Sequence, residues 1–74
     1  MTEIKQQFEA ELDALLIRLE AAIIAGDRRG SGELSIAVLA VVRKYAGRLT
    51  TADLKEGLNS PTANAIARRL GVQS

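Results

Sequence analysis

Leu49-Thr50-Thr51-Ala52-Asp53-Leu54-Lys55-Glu56-Gly57-Leu58-Asn59-Ser60-Pro61-Thr62-Ala63-Asn64-Ala65-Ile66-Ala67-Arg68-Arg69-Leu70 is the stretch on which the reading of this chain turns. Thr50 or Thr51 is placed to cap a short helix with Asp53 early in it, where the helix dipole favours an acid. Leu54 and Leu58 stand four apart and are expected on its buried face. Gly57 and Asn59 mark its end. Ser60-Pro61 then opens a second helix, with Ser at the cap and Pro at the first helical position. Ala63, Ile66, Ala67 and Leu70 give that helix an inner stripe, Gly71 terminates it, and Val72 is expected to fold back onto the core. The whole reads as short helix, tight turn, capped helix.

Upstream, Gly47-Arg48-Leu49 separates this unit from a hydrophobic segment, Ser35–Ala46, with Ser31 or Ser35 as its cap. Ile36–Val42 is an unbroken apolar run, which a strand would also suit. Ala37, Ala40 and the helix-compatible Arg43-Lys44-Tyr45-Ala46 favour a helix. Being apolar nearly all round, it is expected to be the central helix, buried on several sides. Before it, three glycines in the seven residues Gly26–Gly32 predict a break and a Gly-rich linker over 27–34.

Residues 1–26 read as one amphipathic helix with Thr2 as cap. Apolar side chains recur at Ile4, Phe8, Leu12, Leu15, Leu16, Leu19, Ala22 and Ile23, in steps that mark one helix face. Phe8, Leu12, Leu15, Leu19 and Ala22 also follow the alternating spacing of a short heptad seam. Such a stripe either pairs with a second copy or covers the chain's own core. A chain of 74 residues buries a modest core, and with neither Cys nor His it lacks disulfides and the usual zinc ligands. Self-association is therefore expected, with Phe8, Leu12, Leu15, Leu16, Leu19 and Ile23 as the dimer interface. The fold class is all-α: a long N-terminal amphipathic helix (1–26), the linker (27–34) and a tri-helical head (35–74).

Charge divides the chain in the same place. Residues 1–25 hold five acids against two bases, whereas residues 26–74 hold four acids against eight bases. An acidic assembly helix joined to a basic head suggests a polyanion as partner. Absence of the usual catalytic base and thiol argues against an enzyme, and no glycine spacing suits a phosphate-binding loop. Glu9 and Asp13, four apart on one helix, are more simply a solvated face than a cation site. No cofactor, metal or small-molecule effector is expected. The polar N-terminus lacks the plan of a signal peptide, and no apolar run approaches the roughly 18–20 residues that cross a bilayer. A cytoplasmic protein without membrane contact is expected.

The order "hydrophobic helix, Lys44-Tyr45-Ala46-Gly47-Arg48-Leu49-Thr50, short helix, Ser60-Pro61, Arg-bearing helix" resembles the tri-helical core of helix-turn-helix and winged-helix DNA-binding regulators. The likeness is at superfamily level and covers about residues 35–71. The turn at Gly57-Leu58-Asn59 is shorter than the usual one, and no wing hairpin follows. A second register also fits, in which Ile66-Ala67-Arg68-Arg69-Leu70-Gly71-Val72 is the first helix and turn of such a motif. In the first register the resemblance makes 61–70 the recognition helix, set in the major groove of double-stranded DNA. It then implies base-edge contacts from Thr62, Asn64, Ala65 and Arg68, since Asn reads adenine and Arg reads guanine. Phosphate contacts are implied for Arg43, Lys44, Arg48, Lys55 and Arg69. For each of these charges a solvated helix face is the alternative.

A small homodimeric DNA-binding transcriptional regulator is thus the leading expectation, its two heads meeting half-sites about one helical turn apart. A helical protein-interaction module of adaptor, antitoxin or inhibitor type is the alternative. A shape-reading RNA binder is the third.

Overall fold

The computed structural model describes residues 2–71, and every regular element within them is an α-helix. Four occur: α1 (Thr2–Ile24), α2 (Arg28–Ala46), α3 (Thr51–Leu58) and α4 (Pro61–Arg69). The expected Thr2 cap is instead the first helical residue, and the expected packing of Val72 lies outside the described residues. Thr50 caps α3 in a full capping box with Asp53: the Asp53 amide donates to Thr50 Oγ1 at 3.1 Å and the Thr50 amide to Asp53 Oδ2 at 3.4 Å. Ser60 caps α4, accepting from the Ala63 amide at 3.1 Å, with Pro61 at the first turn.

The break between α1 and α2 is shorter than the expected linker. Gly26, at φ 74°, turns the chain, and Asp27 at once caps the next helix by accepting from the Gly30 amide at 2.9 Å. Residues 28–34 are therefore helical, and neither Ser31 nor Ser35 is the cap. Both serines back-bond within α2 instead, to the Arg28 and Ser31 carbonyls. Glycines that look like breakers in sequence are tolerated in the first turns, where the Asp27 carboxylate lies against Gly30 and accepts its amide.

α1, not α2, is the central helix. It packs most extensively against α2, then against α4 and α3, whereas α4 packs chiefly against α1 alone. Phe8, Leu12, Leu16 and Leu19 from α1 meet Tyr45 of α2 and Ile66 of α4 in the buried core. Ile4, Ile23, Leu34, Val38, Val41, Val42, Leu49, Leu54 and Ala63 close its margin. The rings of Phe8 and Tyr45 pack tilted, with centroids 5.4 Å apart. Gly57 lies so close to the Phe8 ring that a Cβ there would collide with it.

Three expectations are corrected by this packing. α2 is covered on one side only, so Ile36 and Leu39 stay 69% and 60% exposed. Leu58 and Leu70, expected on the core, are exposed at 40% and 60%, and of the large apolar side chains of α3 and α4 only Leu54 and Ile66 pack into it. The stripe assigned to a dimer is largely spent within one chain: Phe8 and Leu12 are 0% exposed, Leu16 and Leu19 are buried, and Leu15 and Ile23 are half-buried. No second copy reaches those four buried side chains without opening the core.

Candidate nucleic-acid interface

α4 carries the residues expected to read bases. Ile66 is buried against α1, so the opposite side of this short helix faces solvent. Asn64 and Arg68, four apart, share that outer side and are exposed. Asn64 Nδ2 donates to Asn59 Oδ1 at 3.2 Å, which ties the amide to the α3–α4 turn. Thr62 and Ala65 are half-buried and offer less surface.

The bases expected at phosphates and Arg68, expected at a base edge, are all exposed, but they differ in what they already hold. Arg43, Arg48, Lys55 and Arg68 form no ion pair among the described residues. Arg69 Nε lies 3.5 Å from Glu20 Oε2, and Lys44 Nζ lies 3.4 Å from Glu11 Oε1. Both pairs pin the acidic α1 to a basic neighbour. Exposed pairs of this kind contribute about 0–1 kcal/mol, so a polyanion competes with them at little cost. Arg43 and Lys44 in the last turn of α2, and Arg68 and Arg69 in that of α4, also favourably face the helix dipoles.

Acids crowd the other end of α4. Glu9, Asp13 and Glu56 line a cleft completed by Ala10, Gly57, Asn59 and Ser60. Lys5 bridges Asp53, at 3.8 Å, and Glu56, and its pKa is raised, first by the hydrogen bond to Glu56. No group of three or more potential metal ligands is assembled among the described residues.

The sharpest electrostatic feature lies between α1 and α2. The buried Tyr45 ring sends its hydroxyl to Glu11, donating a hydrogen bond to Oε2. That bond lowers the Glu11 pKa, with Lys44 adding to the effect against desolvation, and it raises that of Tyr45, which burial raises further. Lys44 Nζ also stands 5.4 Å from the Tyr45 ring centroid.

The sequence reading does not single out two exposed apolar faces. One is Ile36, Leu39 and Ala40 on the back of α2. The other is the back of α1, where Ile17 and Ile24 are 55% and 62% exposed. No helix among the described residues is long and apolar enough to cross a membrane. Comparison with protein-family models, curated proteins and solved structures finds no match to this chain.

Proposed function

We propose that this chain is a DNA-binding protein that works as a homodimer and regulates transcription, touching the duplex with the outer side of α4. The supporting observation is the exposure of Asn64 and Arg68 together on that side, opposite buried Ile66. Asn and Arg at this spacing project toward one strip of groove, where they are the commonest readers of adenine and guanine. Phosphate contacts from Arg43, Lys44, Arg48, Lys55 and Arg69 are what the resemblance implies, and of these Arg69 and Lys44 must first release Glu20 and Glu11. Thr62 and Ala65 play a smaller part, being half-buried. The carboxylates of Glu9, Asp13 and Glu56 repel phosphate and disfavour an approach of the duplex from the N-terminal end of α4. α4 packs chiefly on α1, so α1 is the support that presents its outer side to the groove.

The test is fluorescence anisotropy of a random-sequence duplex at about 50 and 200 mM salt, since neutralising several phosphates gives a steep salt dependence. Binding that weakens by about two decades supports the proposal, and Arg68→Ala then lowers affinity while Asn64→Ala relaxes sequence preference. No binding at low salt sinks it.

A second reading, a protein-interaction module, is favoured by the Ile36–Leu39 patch, since exposed apolar patches of this kind mark contact surfaces. It gains if the duplex fails to bind.

A further inference from the structure

We infer that the outer face of α1 is a self-association seam, along which two copies of this chain pair with their α1 helices parallel. Gln7, Ala10, Ala14, Ile17, Ala21 and Ile24 recur in alternating steps of three and four, the spacing of coiled-coil core positions. All six are exposed, on the side of α1 away from Phe8, Leu12, Leu16 and Leu19. The seam is apolar from Ala10 onward. Its alanines allow close approach of two backbones, and Ile17 and Ile24 supply the knobs. The inner face already holds α1 as a helix, so pairing does not have to pay for helix formation.

Charge selects the occupant and its direction. Asp13 flanks the seam on one side and Arg18 on the other, and neither makes an ion pair among the described residues. They stand five residues apart. In a parallel pair that spacing sets Asp13 of one copy beside Arg18 of the other, twice over by symmetry. In an antiparallel pair each flank meets its own kind, which sets Asp13 and Glu20 against their equivalents. Glu11 and Glu20, the remaining flanking acids, are held by Tyr45, Lys44 and Arg69 of their own chain. The back of α2 has no comparable pair of unmatched opposite charges, because Glu33 is taken by Arg29 at 3.6 Å.

The seam supplies the second copy that the two-headed reading above calls for, and it is tested without DNA, so failure of either is told apart from failure of the other. Sedimentation velocity of the full chain from micromolar to sub-millimolar concentration should give a dimer. Ile17→Glu should yield monomers that keep the helical circular dichroism but lose the concentration dependence of melting that a dimer confers, since Ile17 is not among the residues of its own chain's core. Asp13→Arg and Arg18→Asp should each weaken the dimer about tenfold or more. An equimolar mixture of these two variants should restore it, because every cross-pair again joins opposite charges. Gln7→Cys should crosslink to itself on oxidation, which only the parallel arrangement permits. A wild-type chain that stays monomeric overturns the inference, as does a dimer indifferent to Ile17→Glu. A mixture no tighter than its components, or a dimer that Gln7→Cys does not crosslink, overturns the parallel pairing.

Discussion

The apolar residues on both faces of α1 recur in helical steps of three and four, and the two faces have opposite fates. The inner face, Phe8-Leu12-Leu16-Leu19, lies in the core, whereas the outer face, Ala10-Ala14-Ile17-Ala21-Ile24, meets solvent. Periodicity tells that a stripe exists; side-chain size decides which stripe the chain covers with itself. Burial is favourable in proportion to apolar area, so α2, α3 and α4 gather on the side with the large side chains. The alanine-rich side offers them little, and is left for association between folded copies.

Making the inner face resemble the outer one should have the gravest consequence for the fold. Phe8→Ala removes a ring with no exposed surface that packs on Tyr45 and Gly57. It is expected to cost about 3–5 kcal/mol, the usual range for a buried Phe. For a domain of this size, with stability of about 0.05–0.15 kcal/mol per residue, that is a large share of the total. Urea unfolding followed by circular dichroism checks it; a loss below about 1 kcal/mol would show that Phe8 is not the centre of the core.

Next in size is Gly57→Ala. A Cβ at this position would run into the Phe8 ring, so the ring or α3 must shift. The ordinary gain in helix propensity from Gly to Ala, about 1 kcal/mol, is expected to be outweighed by an overpacking cost of about 1–3 kcal/mol. Gly32, around which a Cβ would meet nothing, is the control: there Ala should stabilise. If both substitutions stabilise, the close approach of α3 to Phe8 is wrong.

Much of this fold is legible from local chemistry. Gly26, Thr50 with Asp53, Ser60-Pro61 and Gly71 mark ends that the structure keeps, since each satisfies a cap or turn within a few residues. The start of α2 escapes notice because Gly30 and Gly32 look like breakers, while its cap, Asp27, sits among loop-like residues. What local chemistry does not carry is which helix the others gather around. Ile36–Val42 reads as a central helix because it is apolar on every side, yet nothing among the described residues covers Ile36 and Leu39. For the candidate interface, residue types and exposure on α4 follow from the sequence pattern. The pairing of Arg69 with Glu20 and of Lys44 with Glu11 does not, because it depends on how α4 and α2 lie along α1.

The smallest expected effect concerns the polar edge of the inner face, where Tyr45 meets Glu11. The hydroxyl holds the Glu11 carboxyl below its ordinary value of 4.5, so the folded chain favours the ionised form. Stabilisation from this group is therefore complete above pH about 4.5 and is lost as pH falls through the lowered folded value. Tyr45 runs the other way. Its pKa is raised above 10.0, first by the hydrogen bond to Glu11 and then by burial, so its contribution is complete below pH about 10 and fades as pH rises through the folded value. The pair thus supports a plateau bounded by an acid limb and an alkaline limb. Glu11→Gln keeps an acceptor for the hydroxyl and removes the charge that titrates. Melting temperatures measured from pH 3 to 11 should show wild type above this variant on the plateau, with the gap closing on the acid side. Tyr45→Phe should flatten both limbs, because it removes one titrating group and the donor that shifts the other. A gap between wild type and Glu11→Gln that stays constant to the lowest pH would mean that the carboxylate works through shape alone, and the inner face would then owe nothing to this charge at its edge.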